Sequence, residues 1–403
     1  MAKKILIISQ LFYPDTFGGS EKVLYYQAKE LIKNGFDVTV LVRKNKAGLA
    51  NQDVVEGIKV IRYENILDKI WGKSLSDIFF LPGIIKNVCL KENFDLIIYH
   101  HDYAAYGFLK AKINLPSIYV FHASYAKELL VEGLEGKIGI NFIDNILKNI
   151  FSKFLLKTEI AALNKCKQVI ALSKFSKSII KDLVPDILDE KISVIGGGVN
   201  LDFFKPGDKS IARQKLSLAT NRPILFTVRR LVGRMGIENL INACQKLKND
   251  FPNFLLYIGG RGALANKFDA LVKDLNLTEN IKFLGFIKDE ELPLYYQSAD
   301  AFILPTLAYE GFGLITLEAL ACGTPVLGTP VGATPEILSQ INKSYIFKDK
   351  DSEAIYNGIK DFLNLKEWQD NKELAMKLRA FVEQNYSWEK AGNALISQIN
   401  KLI

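Results

Sequence analysis

The chain has 403 residues, 49% of them apolar and 24% charged, with 28 glycines and 12 prolines. That ordinary globular usage excludes a disordered, low-complexity or collagen-like chain. At roughly 150 residues per domain the length predicts two domains, and the net charge of +8 leaves nucleic acid and anionic lipid to be weighed as partners.

Four cysteines, at 89, 166, 244 and 322, form no C-x-x-C pair, so the sequence predicts neither a zinc site nor a disulfide scaffold and suits a reducing cytoplasm. The opening stretch MAKKILIISQLFYPD has a short apolar run and no small-residue cleavage site, which makes it a first strand rather than a signal peptide. No apolar run reaches the roughly 18 residues that a membrane span requires.

In chain order, short apolar runs at 4–9, 38–42, 95–100, 117–122, 168–173 and 192–197 alternate with longer stretches of helical period. The pattern resumes at 224–228, 254–260, 281–286, 300–305 and 324–329. Alternating β and α segments with continuously apolar strands predict α/β architecture, here two doubly wound, Rossmann-like domains whose parallel sheets carry helices on both faces. The polar, Gly- and Pro-containing stretch 198–214 marks the joint, giving domains of 1–204 and 205–385 and a final segment of 386–403. Ligands of open α/β sheets sit beyond the carboxyl ends of the strands, so binding is expected between the halves.

The first half offers three features. Phe17-Gly18-Gly19-Ser20-Glu21 is a glycine loop opening a helix, a pattern that packing alone also produces. His122 ends the run 117–122, where α/β proteins project reactive groups. His100 and His101 end another run, but neighbours in an extended chain point opposite ways, so at most one is expected to face the site and no metal cluster is predicted. Between Lys137 and Lys181 nine lysines face only Asp144 and Glu159, a net of +7. Within that stretch residues 142, 143, 146, 147, 150, 151, 154 and 155 are all Phe, Ile or Leu, an amphipathic basic helix that either lies on an anionic bilayer or faces the core with solvated lysines. Lysines with few arginines and no stacking-aromatic motif argue against nucleic acid.

In the second half, Val228-Arg229-Arg230-Leu231-Val232-Gly233-Arg234-Met235-Gly236 places three arginines at a strand's carboxyl end, where the guanidinium fork matches phosphate. Gly260-Arg261-Gly262-Ala263-Leu264-Ala265 has the G-x-G-x-x-A form of a dinucleotide fingerprint, so an NAD-dependent oxidoreductase is a competing reading. Glu310-Gly311-Phe312-Gly313-Leu314-Ile315-Thr316-Leu317-Glu318 sets two carboxylates about a glycine-rich turn into a helix, whose free N–H groups at Phe312, Gly313 and Leu314 suit a diphosphate or sugar hydroxyls. Asp349-Lys350-Asp351 has the D-x-D spacing of metal-dependent transferases but reads as a solvated turn.

The E-x7-E motif at 310–318, RRLVGRMG, the GGSE loop, the histidine of VFH, VIALSKFS, GVNLDFFKP and EALACGTPVLGTPVGATPEIL together resemble retaining GT-B glycosyltransferases of the family-4 type. The similarity runs the length of the chain and is strongest over 224–337. It implies two Rossmann-like domains facing across a cleft, an acceptor-binding first domain, a donor-binding second domain, and a last helix crossing back to the first. It implies sugar transfer from a nucleotide-diphosphate sugar, as co-substrate with no further cofactor, to an acceptor hydroxyl. Arginines and helix N-termini where a metal would otherwise sit predict metal independence, and the basic helix together with family habit suggests a saccharide or lipid-linked acceptor of the cell envelope and a place in the cytoplasm or peripherally on the inner face of the membrane. Glu310 would contact the donor sugar, with Gly311 letting it approach, and Glu318 the ribose. Arg230 would grip the diphosphate, and Gly19 would approach it. Gly285, Phe286 and Ile287 would line the base, and His122 would stand near the anomeric centre. Met235 departs from the lysine usual there, so either Arg234 takes its place by longer reach or Arg230 works with the helix dipoles alone.

Overall fold

The computed structural model describes residues 2–64, 73–128, 142–218, 222–365 and 372–403. The described residues form two compact units, the first reaching to Gly198 and taking in Trp388–Ile403, the second holding Val199–Ser387.

The first unit is built on an eight-stranded sheet. Its strands are β1 (Lys4–Ile8), β2 (Asp37–Arg43), β3 (Gln52–Val55), β4 (Ile58–Tyr63), β5 (Leu96–His100), β6 (Ser117–Phe121), β7 (Gln168–Ala171) and β8 (Ile192–Val194), in the spatial order β3-β4-β2-β1-β5-β6-β7-β8. All neighbours pair in parallel except β3 with β4. Ile5 to Ile8, Leu96 to Tyr99 and Ile118 to Phe121 are all buried, because helices cover both faces and each residue of a central strand then meets apolar neighbours whichever way it points.

Helix α1 (Gly19–Lys33) buries Val23, Leu24, Ala28 and Leu31 and ends at Asn34-Gly35, where Gly35 takes φ +86°, the left-handed step that closes many helices. The last helix of the chain, Trp388–Ile399, packs on α1, with the Trp388 and Tyr26 rings stacked at 4.6 Å. Helices α2 (Lys73–Lys91), α3 (His101–Ala111) and α4 (Phe142–Lys165) also belong to this unit. On α4, Leu155 joins a core cluster with Tyr103 and Ala126, and Phe151, Phe154 and Leu156 pack against it, whereas Ile150 is 61% exposed. The described half of the basic amphipathic stripe is therefore mainly a core face. The side chains of 142–148 lie outside the described residues. Among the described residues no helix is long and apolar enough to cross a membrane.

The second unit has five parallel strands, β9 (Ile224–Val228), β10 (Leu255–Gly259), β11 (Ile281–Gly285), β12 (Ala301–Leu304) and β13 (Val326–Gly328), in the order β11-β10-β9-β12-β13. The chain winds outward from β9 in one direction and returns on its other side with β12. The topological switch point, where loops diverge and leave a crevice, therefore lies between β9 and β12. In the first unit the equivalent point lies between β1 and β5.

Candidate functional site

The two segments richest in candidate residues, 229–236 and 305–314, leave β9 and β12 and so meet at the second unit's switch point. Their backbones are interlocked: Leu307 N–H donates to the Arg234 carbonyl at 2.9 Å, and Gly236, at φ +73°, lies so close to Pro305 that a Cβ there would stand 1.7 Å from its carbonyl oxygen. Beyond the turn, Gly313 takes φ +83° and caps α5 (Leu314–Ala321), and the N–H groups of Phe312, Gly313 and Leu314 donate to no protein acceptor among the described residues. They are the unpaired donors of a helix start, carrying its partial positive charge.

Glu310 lies in this turn. Its Oε2 accepts from Arg229 Nη2 at 2.5 Å and from Thr306 Oγ1 at 3.1 Å. Burial pushes the carboxyl up, but the Arg229 guanidinium, the Thr306 hydroxyl and Arg234 outweigh it and hold Glu310 below the usual carboxylate range, so the group is ionised at neutral pH. Glu318, on the second turn of α5, is 4% exposed and accepts from the Tyr296 hydroxyl at 3.1 Å.

The three arginines differ. Arg229 is buried in the ion pair. Arg234 is also buried, with Nη1 toward the Tyr309 carbonyl at 3.4 Å. Arg230 is exposed, and Met235 is buried. The partner of Glu310 is thus Arg229, an arginine with no role of its own among the sequence-based expectations.

The base-lining candidates also separate. Gly285 ends β11 at φ +68°, and Phe286 is 48% exposed with the Arg261 guanidinium 5.6 Å from its ring centre. The Ile287 side chain is buried and covers Gly259, where a Cβ would lie 2.5 Å from Ile287 Cδ1. The G-x-G-x-x-A segment has a packing explanation, since a Cβ on Gly260 would lie 1.8 Å from the Arg229 carbonyl oxygen and one on Gly262 2.2 Å from that of Leu231. In the D-x-D segment, Asp351 accepts from Ala354 N–H, a capping contact at the helix Ser352–Leu365.

At the first unit's switch point Gly19 opens α1, preceded by Gly18, and Ser20 Oγ donates to the buried Glu21 carboxylate. His101, expected to point away if His100 points in, does not. Its φ of +65° breaks the extended path where strand becomes helix, so the alternation rule fails there. All three histidines of the chain converge: His100 Nδ1 lies 2.8 Å from His122 Nε2, and the His101 ring stacks on His122 at 4.8 Å. Burial first, then the neighbouring rings, pushes His100 and His122 well below the usual histidine range. Burial also lowers His101, against the opposing charge of Glu21. Among the described residues no group of three His, Cys, Asp or Glu is arranged to hold a metal.

The first unit also holds a buried acid pair that sequence patterning did not single out. Asp102 accepts from the Tyr119 hydroxyl and Glu159 from Ser124, while Asp102 Oδ2 and Glu159 Oε1 have no partner among the described residues. Burial, then the charge of Asp102, raises Glu159 to about 9, and burial raises Asp102 as well. The folded state thus keeps a proton that the unfolded chain releases near the ordinary carboxylate value. The associated stability is lost as pH rises from about 4.5 toward about 9. Glu159→Gln, which needs no proton, is expected to flatten the fall of melting temperature over neutral to alkaline pH. Equal slopes in parent and variant would show that the acid is not held protonated.

Two family descriptions match the chain: Glycosyltransferase Family 4 over residues 17–203 and Glycosyl transferases group 1 over residues 208–381. The chain belongs to the family-4 type of GT-B glycosyltransferases, a family of enzymes. Among its relatives, an uncharacterized glycosyltransferase of Methanocaldococcus jannaschii is 25% identical over 98% of this chain and 97% of that one. The GDP-mannose-dependent alpha-(1-6)-phosphatidylinositol monomannoside mannosyltransferase of Mycolicibacterium smegmatis is 30% identical over 49% of this chain and 53% of its own length. The fold is that of sucrose-phosphate synthase from Thermosynechococcus elongatus, with a TM-score of 0.80 over 99% of both chains at 21% identity.

Proposed function

We propose that the protein transfers a sugar from a nucleotide-diphosphate sugar to an acceptor hydroxyl, with retention of configuration and without a metal ion. The observation that carries this reading is the second unit's switch point, where an ionised, anchored carboxylate stands in the turn leading to unpaired helix-start amides, beside arginines. Such donors suit a diphosphate, and a carboxylate suits the hydroxyls of the attached sugar. Glu318 would take the ribose, Arg230 and Arg234 the diphosphate, and Gly285 with the exposed Phe286 the base. Gly19 and His122 would serve the same reaction from the first unit. His122 has Nε2 committed to His100, which leaves Nδ1 to meet a ligand. Retention rests on the likeness of the E-x7-E arrangement to that of the family.

For the acceptor we propose a saccharide or lipid-linked glycan of the cell envelope, in line with the phosphatidylinositol mannoside acted on by the mycobacterial relative. The excess of lysines over 137–181 fits peripheral attachment to an anionic inner membrane face from the cytoplasm.

The test is a thermal-shift screen with UDP, GDP and ADP sugars, because a ligand that binds only the folded state raises its melting temperature. One nucleotide class is expected to stabilise the protein, and no shift with any of the three would count against the donor site. Turnover of the selected donor in excess EDTA is expected to stay complete. Loss of turnover restored by magnesium or manganese would overturn metal independence.

A further inference from the structure

We infer that Arg229 is a positioning residue for sugar transfer: with Thr306 it occupies one carboxylate oxygen of Glu310 and so presents the other to the donor sugar. The inference rests on the reading of Glu310 as a donor-sugar contact. The three side chains close a ring. Arg229 Nη2 donates to Glu310 Oε2 at 2.5 Å, Arg229 Nη1 donates to Thr306 Oγ1 at 2.6 Å, and Thr306 Oγ1 donates its one proton to the same Oε2 at 3.1 Å. Oε2 then has two donors, while Oε1 has none among the described residues. Oε1 lies on the side of the helix start, 3.6 Å from where a Cβ of Gly313 would be.

Each member of the ring is fixed from behind. Thr306 is fully buried and its carbonyl accepts from Thr329 Oγ1 at 2.6 Å. The Glu310 carbonyl accepts from Ala333 N–H at 2.9 Å, and a Cβ on Gly332, at φ +64°, would lie 2.2 Å from that carbonyl oxygen. Arg229 is buried as well, with its N–H on the Gly259 carbonyl at 3.0 Å. A guanidinium so committed is poorly placed to follow a mobile diphosphate, yet well placed to keep a buried carboxylate ionised and in one rotamer. The charged groups that act on Glu310 are Arg229 and Arg234 from the turn after β9, and Lys350 Nζ donates to the Leu307 carbonyl of the same loop at 3.4 Å.

The experiment compares affinities for UDP-glucose against UDP and for GDP-mannose against GDP, by calorimetry from about pH 5 to about pH 8. The ratio within each pair isolates the sugar, and the nucleoside diphosphate alone reports whether the rest of the pocket has folded. For the pair that binds, the parent ratio is expected to stay constant over this range. Arg229→Gln removes the cation but leaves the burial, so Glu310 takes up a proton at higher pH. Its ratio should fall at the acid end by roughly tenfold to a hundredfold, the worth of one hydrogen bond to a charged group. Arg229→Lys should restore part of it. Glu310→Gln should lower the ratio at every pH, and adding Arg229→Gln to it should change nothing more.

A parent-like pH profile in Arg229→Gln, with the ratio lost in Glu310→Gln, overturns the positioning role alone. A ratio kept in Glu310→Gln, or no sugar-dependent binding by the parent from either pair or from the sugar and nucleotide that the thermal-shift screen selects, overturns the donor-contact reading and the inference with it. If Arg229→Gln fails to fold, Thr306→Val decides: a smaller fall of the ratio at the acid end supports the inference, and an unchanged ratio overturns it.

Discussion

Arg230→Ala is expected to lower turnover of the nucleotide sugar by about 10²–10³, the usual cost of one preorganised donor aimed at developing charge, while leaving thermal stability almost unchanged. The three arginines of the turn divide by what surrounds them. Arg229 is committed to Glu310, Arg234 is buried beside the Tyr309 carbonyl, and Arg230 is exposed at the carboxyl end of β9. As the glycosidic bond breaks, negative charge grows on the leaving nucleoside diphosphate, so a cation there stabilises the transition state more than the bound donor and its loss falls on kcat. An exposed side chain leaves no cavity when truncated, which keeps the change in folding free energy within about 0.5 kcal/mol. Arg234→Ala is expected to combine a smaller kinetic loss with a measurable drop in melting temperature. The discriminating result is kcat at saturating donor, and a parent-like kcat for Arg230→Ala would mean that Arg234 and the helix start hold the diphosphate without it.

The sequence was most legible where chemistry and periodicity coincide. The run 224–228 matches β9 at both ends, because a central parallel strand is apolar on both faces and stops where polarity begins. Strands β3 and β4 had no such signal. Gln52 and Asp53 sit on an exposed edge, and in β4 Lys59 is exposed between buried Ile58 and Val60, a period-2 pattern invisible to a search for continuous apolar runs. In the site, the spacing of Glu310 and Glu318 about a glycine turn was legible, since a helix start needs such residues. Which of Arg229 and Arg230 would turn inward was not, because neighbours at a strand end differ only in where the backbone leaves the sheet. The His100–His101–His122 cluster was hidden for a related reason: the alternation of side chains holds only while the chain stays extended, and the φ of His101 ends that at one residue. The acid pair Asp102 and Glu159 lies 57 positions apart in a segment with no recognisable motif, and only the packing of α4 on α3 makes it a pair.

Gly236→Ala is the largest expected loss of stability, and it should remove nucleotide binding with it. Two costs act at this residue. The φ of +73° is left-handed, a conformation that costs a side-chain-bearing residue about 1–3 kcal/mol where the surroundings enforce it. The added methyl would also lie 1.7 Å from the Pro305 carbonyl oxygen and 3.3 Å from Leu307 Cγ, so the turn after β9 must move away from the loop after β12, an overpacking that costs about 1–3 kcal/mol more. Gly285→Ala separates the two, because Gly285 has a similar φ of +68° but nothing within 4 Å of its missing Cβ; it should show the backbone cost alone. Denaturant midpoints read by probes of the second unit are expected to fall in the order parent, Gly285→Ala, Gly236→Ala. Displacement of the turn also carries Arg230 and Arg234 away from Glu310 and the start of α5, so a Gly236→Ala protein that still folds should bind no nucleoside diphosphate. A midpoint equal to that of Gly285→Ala, with binding intact, would show that the two loops part at no cost and that their close approach does not hold the site together.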